Sequence, residues 1–144
     1  QLNSSFSFYF NLLSPGRLVF ANRLGGGINL GDGFEFFQAQ YLGNEDNLRG
    51  YRQYRFAGKS KFFNQSELRL KIADFRTYLF PGSIGISAYY DVGRVWVEND
   101  LVDKWASGYG LGFWVSPLRR LLFSFVYAMS KEDKLPLVTL GWRF

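Results

Sequence analysis

The residues best suited to chemistry are two carboxylates, Glu67 and Asp91, and a tight arginine cluster at Arg49, Arg52 and Arg55. A carboxylate pair can act as general acid and general base. The rest of the inventory narrows the options. The chain has no His and no Cys, which removes a Ser/His/Asp triad, a cysteine nucleophile, a disulfide framework and the usual zinc sites. Gly25, Gly26 and Gly27, and the stretch Gly31, Asp32, Gly33, lack the strand, glycine loop and helix context of a phosphate site and read as turns. The net charge of +5 is dispersed outside the three arginines, too weak a footprint for nucleic acid. On spacing alone, Arg49 is a solvated loop residue, and the carboxylates form a structural pair rather than a catalytic one. No enzyme activity, cofactor or metal is expected.

Holding these groups in place calls for strands. Aromatics make up 20% of the chain, with 16 Phe and 9 Tyr, yet mean hydropathy is slightly negative, so apolar residues must be interleaved with polar ones. Period-two alternation predicts eight strands, at 5–12, 17–30, 34–41, 65–73, 83–97, 105–115, 120–129 and 136–144. In the fourth, Leu68, Leu70 and Ile72 oppose Gln65, Glu67, Arg69 and Lys71. In the fifth, Ile84, Ile86, Ala88, Tyr90 and Val92 oppose Gly85, Ser87, Tyr89, Asp91 and Gly93. In the sixth, Gly108, Gly110 and Gly112 are small residues that let something approach closely.

A water-soluble β-sandwich or lipocalin also alternates. Two features favour a membrane barrel. Tyr41, Tyr78, Trp96, Trp105 and Trp142 lie toward strand ends, where interfacial girdles sit. The face opposite the apolar one carries Glu67, Arg69, Lys71, Asp91 and Arg143, too many charges for a dry core. The apolar face is therefore expected to meet lipid and the polar face a lumen. No apolar run reaches the roughly 18 residues of a spanning helix, whereas a barrel strand needs only about 10 alternating residues. With the C-terminus on the periplasmic side, the connections 42–64, 98–104 and 130–135 are long and fall on one side. The short connection at Ser14 to Gly16 falls on that side too, as an exception. The chain starts at Gln1 without a signal-like run and reads as a mature or trimmed product.

Within the long third connection, Leu48, Arg49, Gly50 and Tyr51 resemble the [VIL]RG[FY] loop motif of the BamA-type outer-membrane assembly barrel superfamily, the bacterial surface antigen family. Further resemblances follow in order: SELRL at 66–70, YYDVGRVW at 89–96, YGLGFWVSPLRRLLFSF at 109–125, and an aromatic end in which Leu140, Trp142 and Phe144 look like a C-terminal targeting signal. The resemblance implies an all-β, antiparallel transmembrane barrel segment of about eight strands, matching the C-terminal half of a sixteen-stranded barrel. The organisation expected for residues 1–144 is a single outer-membrane β-barrel domain or half-barrel, with no periplasmic N-terminal domain of the kind the family's barrels carry.

It also implies that the loop arginine, Arg49, folds back to meet acidic groups on the inner wall, here Glu67 and Asp91, with Gly93 permitting close approach. The implied function is insertion, assembly or translocation of proteins at a bacterial-type outer membrane. The implied partners are the lipid bilayer, client β-barrel or secreted-protein strands, and assembly machinery. The alternative is a small eight-stranded structural or passive-transport barrel. A fragment of a larger chain, two associated copies, and a closed minimal barrel are all open on sequence alone.

Overall fold

The computed structural model describes residues 2–13, 16–29, 39–43, 47–78, 81–97, 105–118 and 121–142. They form strands β1 (Leu2–Leu13), β2 (Leu18–Ile28), β3 (Gln40–Leu42), β4 (Phe56–Gly58), β5 (Ser60–Arg76), β6 (Pro81–Trp96), β7 (Ala106–Pro117), β8 (Leu121–Ser130) and β9 (Lys134–Trp142). Seven of these build one antiparallel sheet in the order β1-β2-β5-β6-β7-β8-β9, and β3 pairs with β4 in a separate ribbon.

Period-two alternation gives the sheet two unlike faces. Along β6, Ser83, Ser87, Tyr89 and Asp91 are buried on the inner face, while Ile86 and Tyr90 are exposed on the outer one. Register extends the pattern sideways. Glu67 faces Ala21 on β2 and Tyr89 on β6, and Asp91 faces Gly108 on β7. The outer face exposes Phe6, Phe10, Leu68, Leu111, Phe125 and Leu140. Such a continuous apolar surface is stable against lipid rather than water. At Ile72 a bulge shifts the β5–β6 register, which keeps Asp74 on the inner face beside Lys71 (2.9 Å) and Ser83 (2.6 Å).

The third predicted strand, 34–41, is not a wall strand. Its residues 34–38, with the turn at 31–33, lie outside the described residues, and β2 bonds directly to β5 along its length. Gln40 and Leu42 are instead buried inside. Gln40 Nε2 donates to Asn29 Oδ1 at 3.1 Å, and Leu42 packs beside Gly93 of β6. At Gln40–Leu42 the alternation belongs to a ribbon lying on the inner face. Removing it from the wall changes the ends at which connections fall. Connections 14–17, 77–80 and 118–120 share one end, and 29–59, 97–105 and 131–133 share the other. The short turn after β1 thereby joins the short end. With seven antiparallel strands, β1 and β9 also run in the same direction, and among the described residues the sheet is not closed.

Candidate functional site

Within the connection from β2 to β5, residues 39–43 and 47–59 lie over the inner face as a strap. Asn47 sets its entry: its Oδ1 accepts from the amide of Gly43 at 2.9 Å, and its Nδ2 donates to the carbonyl of Tyr41 at 3.3 Å. Leu48 follows, fully buried beside Gly93 and opposite Leu42. Gly50 then takes a φ of +91°, a turn that delivers Arg49 to the wall on one side and Tyr51 on the other.

Arg49 meets two carboxylates. Its Nε and backbone N–H donate to Asp91 Oδ2 (2.8 and 3.1 Å), Nη2 donates to Asp91 Oδ1 (2.8 Å), and Nη1 donates to Glu67 Oε2 (2.6 Å). The second Glu67 oxygen accepts from Arg69 Nε at 2.6 Å. The guanidinium face stacks on Tyr89, with Cζ 3.9 Å from the ring centroid. Two cations thus balance two anions, and all four carboxylate oxygens accept from arginine donors. Burial by itself would lower the pKa of Arg49, but the bonds and charge of Asp91, followed by the charge and bond of Glu67, raise it above the ordinary value. Arg49 is held charged. Charge-assisted, bidentate bonds of this kind fix position as well as attraction. Removing one partner of such a buried set costs on the order of 3–5 kcal/mol.

Small residues let the backbone approach. A side chain at Gly108 would overlap the Arg49 carbonyl, and Gly50 rests on the main chain of Met129. Tyr51 is buried, and its hydroxyl donates to the carbonyl of Ser107 at 3.3 Å; burial, then the charge of Glu132, raise its pKa. Farther out, Arg52 pairs with Asp133 (2.9 Å) and Arg55 with Glu132 (2.7 Å). A polar cavity of about 180 Å³ opens beside Arg49, between Ser7 and Tyr9 of β1 and Gln65 of β5.

The structure therefore brings together Leu48, Arg49, Gly50, Tyr51, Glu67, Asp91 and Gly93. It leaves the terminal residues elsewhere: Leu140 is exposed on the outer face of β9, Trp142 ends β9 with its backbone opposite Leu121, and Phe144 lies outside the described residues. Reasoning from sequence missed Tyr89 as the stacking platform, Arg69 as the second donor to Glu67, and the acidic turn at Glu132 and Asp133. Tyr89 shares its inward parity with Asp91, which was the available signal.

The family model for the Omp85 superfamily domain matches residues 1–144. No curated protein and no solved structure matches the chain.

Proposed function

The chain belongs to the Omp85 superfamily, and from that premise we propose that it is the outer-membrane barrel module of a BamA-type protein that inserts, assembles or translocates client proteins. Membership carries the general part: an outer-membrane protein of insertion or translocation, working with a membrane and partner proteins. The observation that supports the finer reading is the three-bond contact of Arg49 with Asp91, completed by Glu67. A passive pore does not need a buried ion-pair set of this kind, whereas a loop anchored across the lumen fixes the inner wall against which strands of a client would be handled.

The half-barrel reading has support of its own. Antiparallel barrels of bacterial outer membranes have even strand numbers. Because β1 and β9 run in the same direction, direct closure of the seven strands, or of two copies in one membrane orientation, would require a parallel junction. An all-antiparallel barrel is completed only by an odd number of further strands. A sixteen-stranded barrel fits, since sixteen less seven is nine. β1 also lacks charge and proline along Leu2–Leu13, the devices that usually blunt a free edge, so it suits a paired position. Parity also admits an eight-stranded barrel with one further strand, but so narrow a barrel is filled by its own side chains, and the strap docked on the inner face favours the wider one.

Clients are recognised in this reading through main-chain pairing with strand edges, which is indifferent to client sequence. Complementation in cells that depend on the full chain tests the function. Arg49→Ala is expected to abolish or severely reduce assembly of outer-membrane barrels at normal protein levels. Full complementation by that variant would overturn the reading.

A further inference from the structure

The strap makes a second set of contacts beyond its inner anchor. Successive residues step across the wall. Leu48 packs near Gly93 on β6, the Arg49 carbonyl covers Gly108 on β7, Gly50 lies on Met129 and Ser130 of β8, and Arg52 reaches the turn between β8 and β9. There Arg52 Nε donates to Asp133 Oδ2 at 2.9 Å, and Arg55 forms a fork on Glu132 at 2.7 and 3.0 Å.

That turn is built to receive them. Ser130 Oγ accepts from the amides of Glu132 (3.2 Å) and Asp133 (3.0 Å), and the amide of Ser130 donates to the Asp133 carbonyl at 2.9 Å. The folded turn presents two adjacent carboxylates toward two arginines of the strap. The hairpin it closes is the edge of the sheet: β9 pairs with β8 and, among the described residues, with no other strand.

We propose that Glu132 and Asp133 are positioning residues forming an outer latch, which ties the terminal hairpin to the strap and so governs how freely the edge of β9 moves. The proposal rests on the reading of the strap as a docked loop. The two anchors differ in kind. Asp91 at the inner one is fully buried, whereas the side chains of Arg52 and Arg55 are 78% and 51% exposed. Exposed ion pairs are weak and screened by salt. The outer latch therefore opens and recloses while Arg49 stays docked, which lets the edge loosen without dismantling the lumenal anchor.

Amide hydrogen exchange on the full chain in outer-membrane lipid tests this. In Glu132→Lys with Asp133→Lys, exchange across residues 135–141 is expected to rise about three- to tenfold, the scale of two exposed ion pairs, while the Arg49 amide stays protected. Adding Arg52→Glu and Arg55→Glu, which reverses both pairs, is expected to restore protection. Unchanged exchange in the lysine variant, no rescue by the reversed pairs, or simultaneous loss of protection at Arg49 would each overturn the latch. Arg49→Ala in the same assay separates the two readings. Unchanged exchange at residues 48–51 there overturns the docked strap itself, whereas a rise there with β9 unmoved in the lysine variant overturns only the latch.

Discussion

The carbonyl of Arg49 lies over Gly108 so closely that any side chain at position 108 would overlap it. The anchor is thus specified twice, by an arginine that reaches two carboxylates and by a glycine on the neighbouring strand that leaves room for the arginine's own backbone. Of the inward-facing glycines of β7, Gly108 is where the strap crosses the wall, whereas Gly110 and Gly112 lie against Tyr89 and Ser87 of β6.

Gly108→Ala should accordingly weaken docking without touching a charge. Overpacking of this kind costs about 1–3 kcal/mol when backbone atoms must shift. Limited proteolysis of the folded chain is expected to cut faster between residues 47 and 55 in this variant, with the barrel strands still protected. An unchanged cutting rate would mean that the strap does not depend on this approach.

The two carboxylates should not be equivalent. Asp91 is fully buried and accepts three bonds from Arg49, whereas Glu67 accepts one from Arg49 and shares its other oxygen with Arg69. Asp91→Asn is expected to release the strap more completely than Glu67→Gln, by on the order of 1–2 kcal/mol, the scale of one or two charge-assisted hydrogen bonds. Protection of the strap against hydrogen exchange in the two variants measures the difference. Equal loss would show that the set acts only through its total charge.

Much of this was legible in the sequence. Glu67 and Asp91 were placed on one face by alternation, because wall strands between lipid and lumen must alternate strictly. The same alternation predicts a wall strand that includes Gln40 and Tyr41, because a ribbon such as Gln40–Leu42 alternates too, and nothing in its residue types tells a wall strand from one lying inside. The short turn after β1 carries the distinguishing signal: it falls at the end with the other short connections only when β2 pairs directly with β5. The bulge at Ile72 and the pairing of Arg52 and Arg55 with Glu132 and Asp133 were not legible, since both depend on where distant segments meet in space.

The assignment of faces can be checked by charge placement. Leu111 points outward and is 67% exposed, and Ser5 points into the lumen opposite Gly25. Leu111→Arg is expected to destabilise the barrel by roughly 2–4 kcal/mol if it lies near the bilayer midplane. Ser5→Arg should change stability by about 0.5 kcal/mol or less, as polar surface substitutions do. Denaturant unfolding in lipid compares them, and equal effects would contradict the assignment.

The outer ion pairs carry a pH signature. The amide of Lys134, then the side chain of Arg52, hold the Asp133 carboxyl below its ordinary value of 3.8. A carboxylate with a depressed folded pKa contributes above its unfolded pKa and loses that contribution as pH falls through the folded one. Protection across the β8–β9 turn, taken relative to the intrinsic exchange rate at each pH, should therefore stay constant from about pH 8 down to about pH 5 and fall only on acidification below the ordinary carboxylate range. A loss of protection near neutral pH would contradict the pairing.

On the function proposed above, Arg49 docked on Asp91 and Glu67 makes this barrel competent for its clients. The most direct test is the rate at which the full chain in outer-membrane lipid inserts an unfolded barrel protein, compared between wild type and Arg49→Ala. Loss of the anchor predicts a fall of about a hundredfold or more, the least that a disruption of about 3 kcal/mol would give. An Arg49→Ala protein that folds, exposes its strap to protease and still inserts clients at the wild-type rate would contradict it.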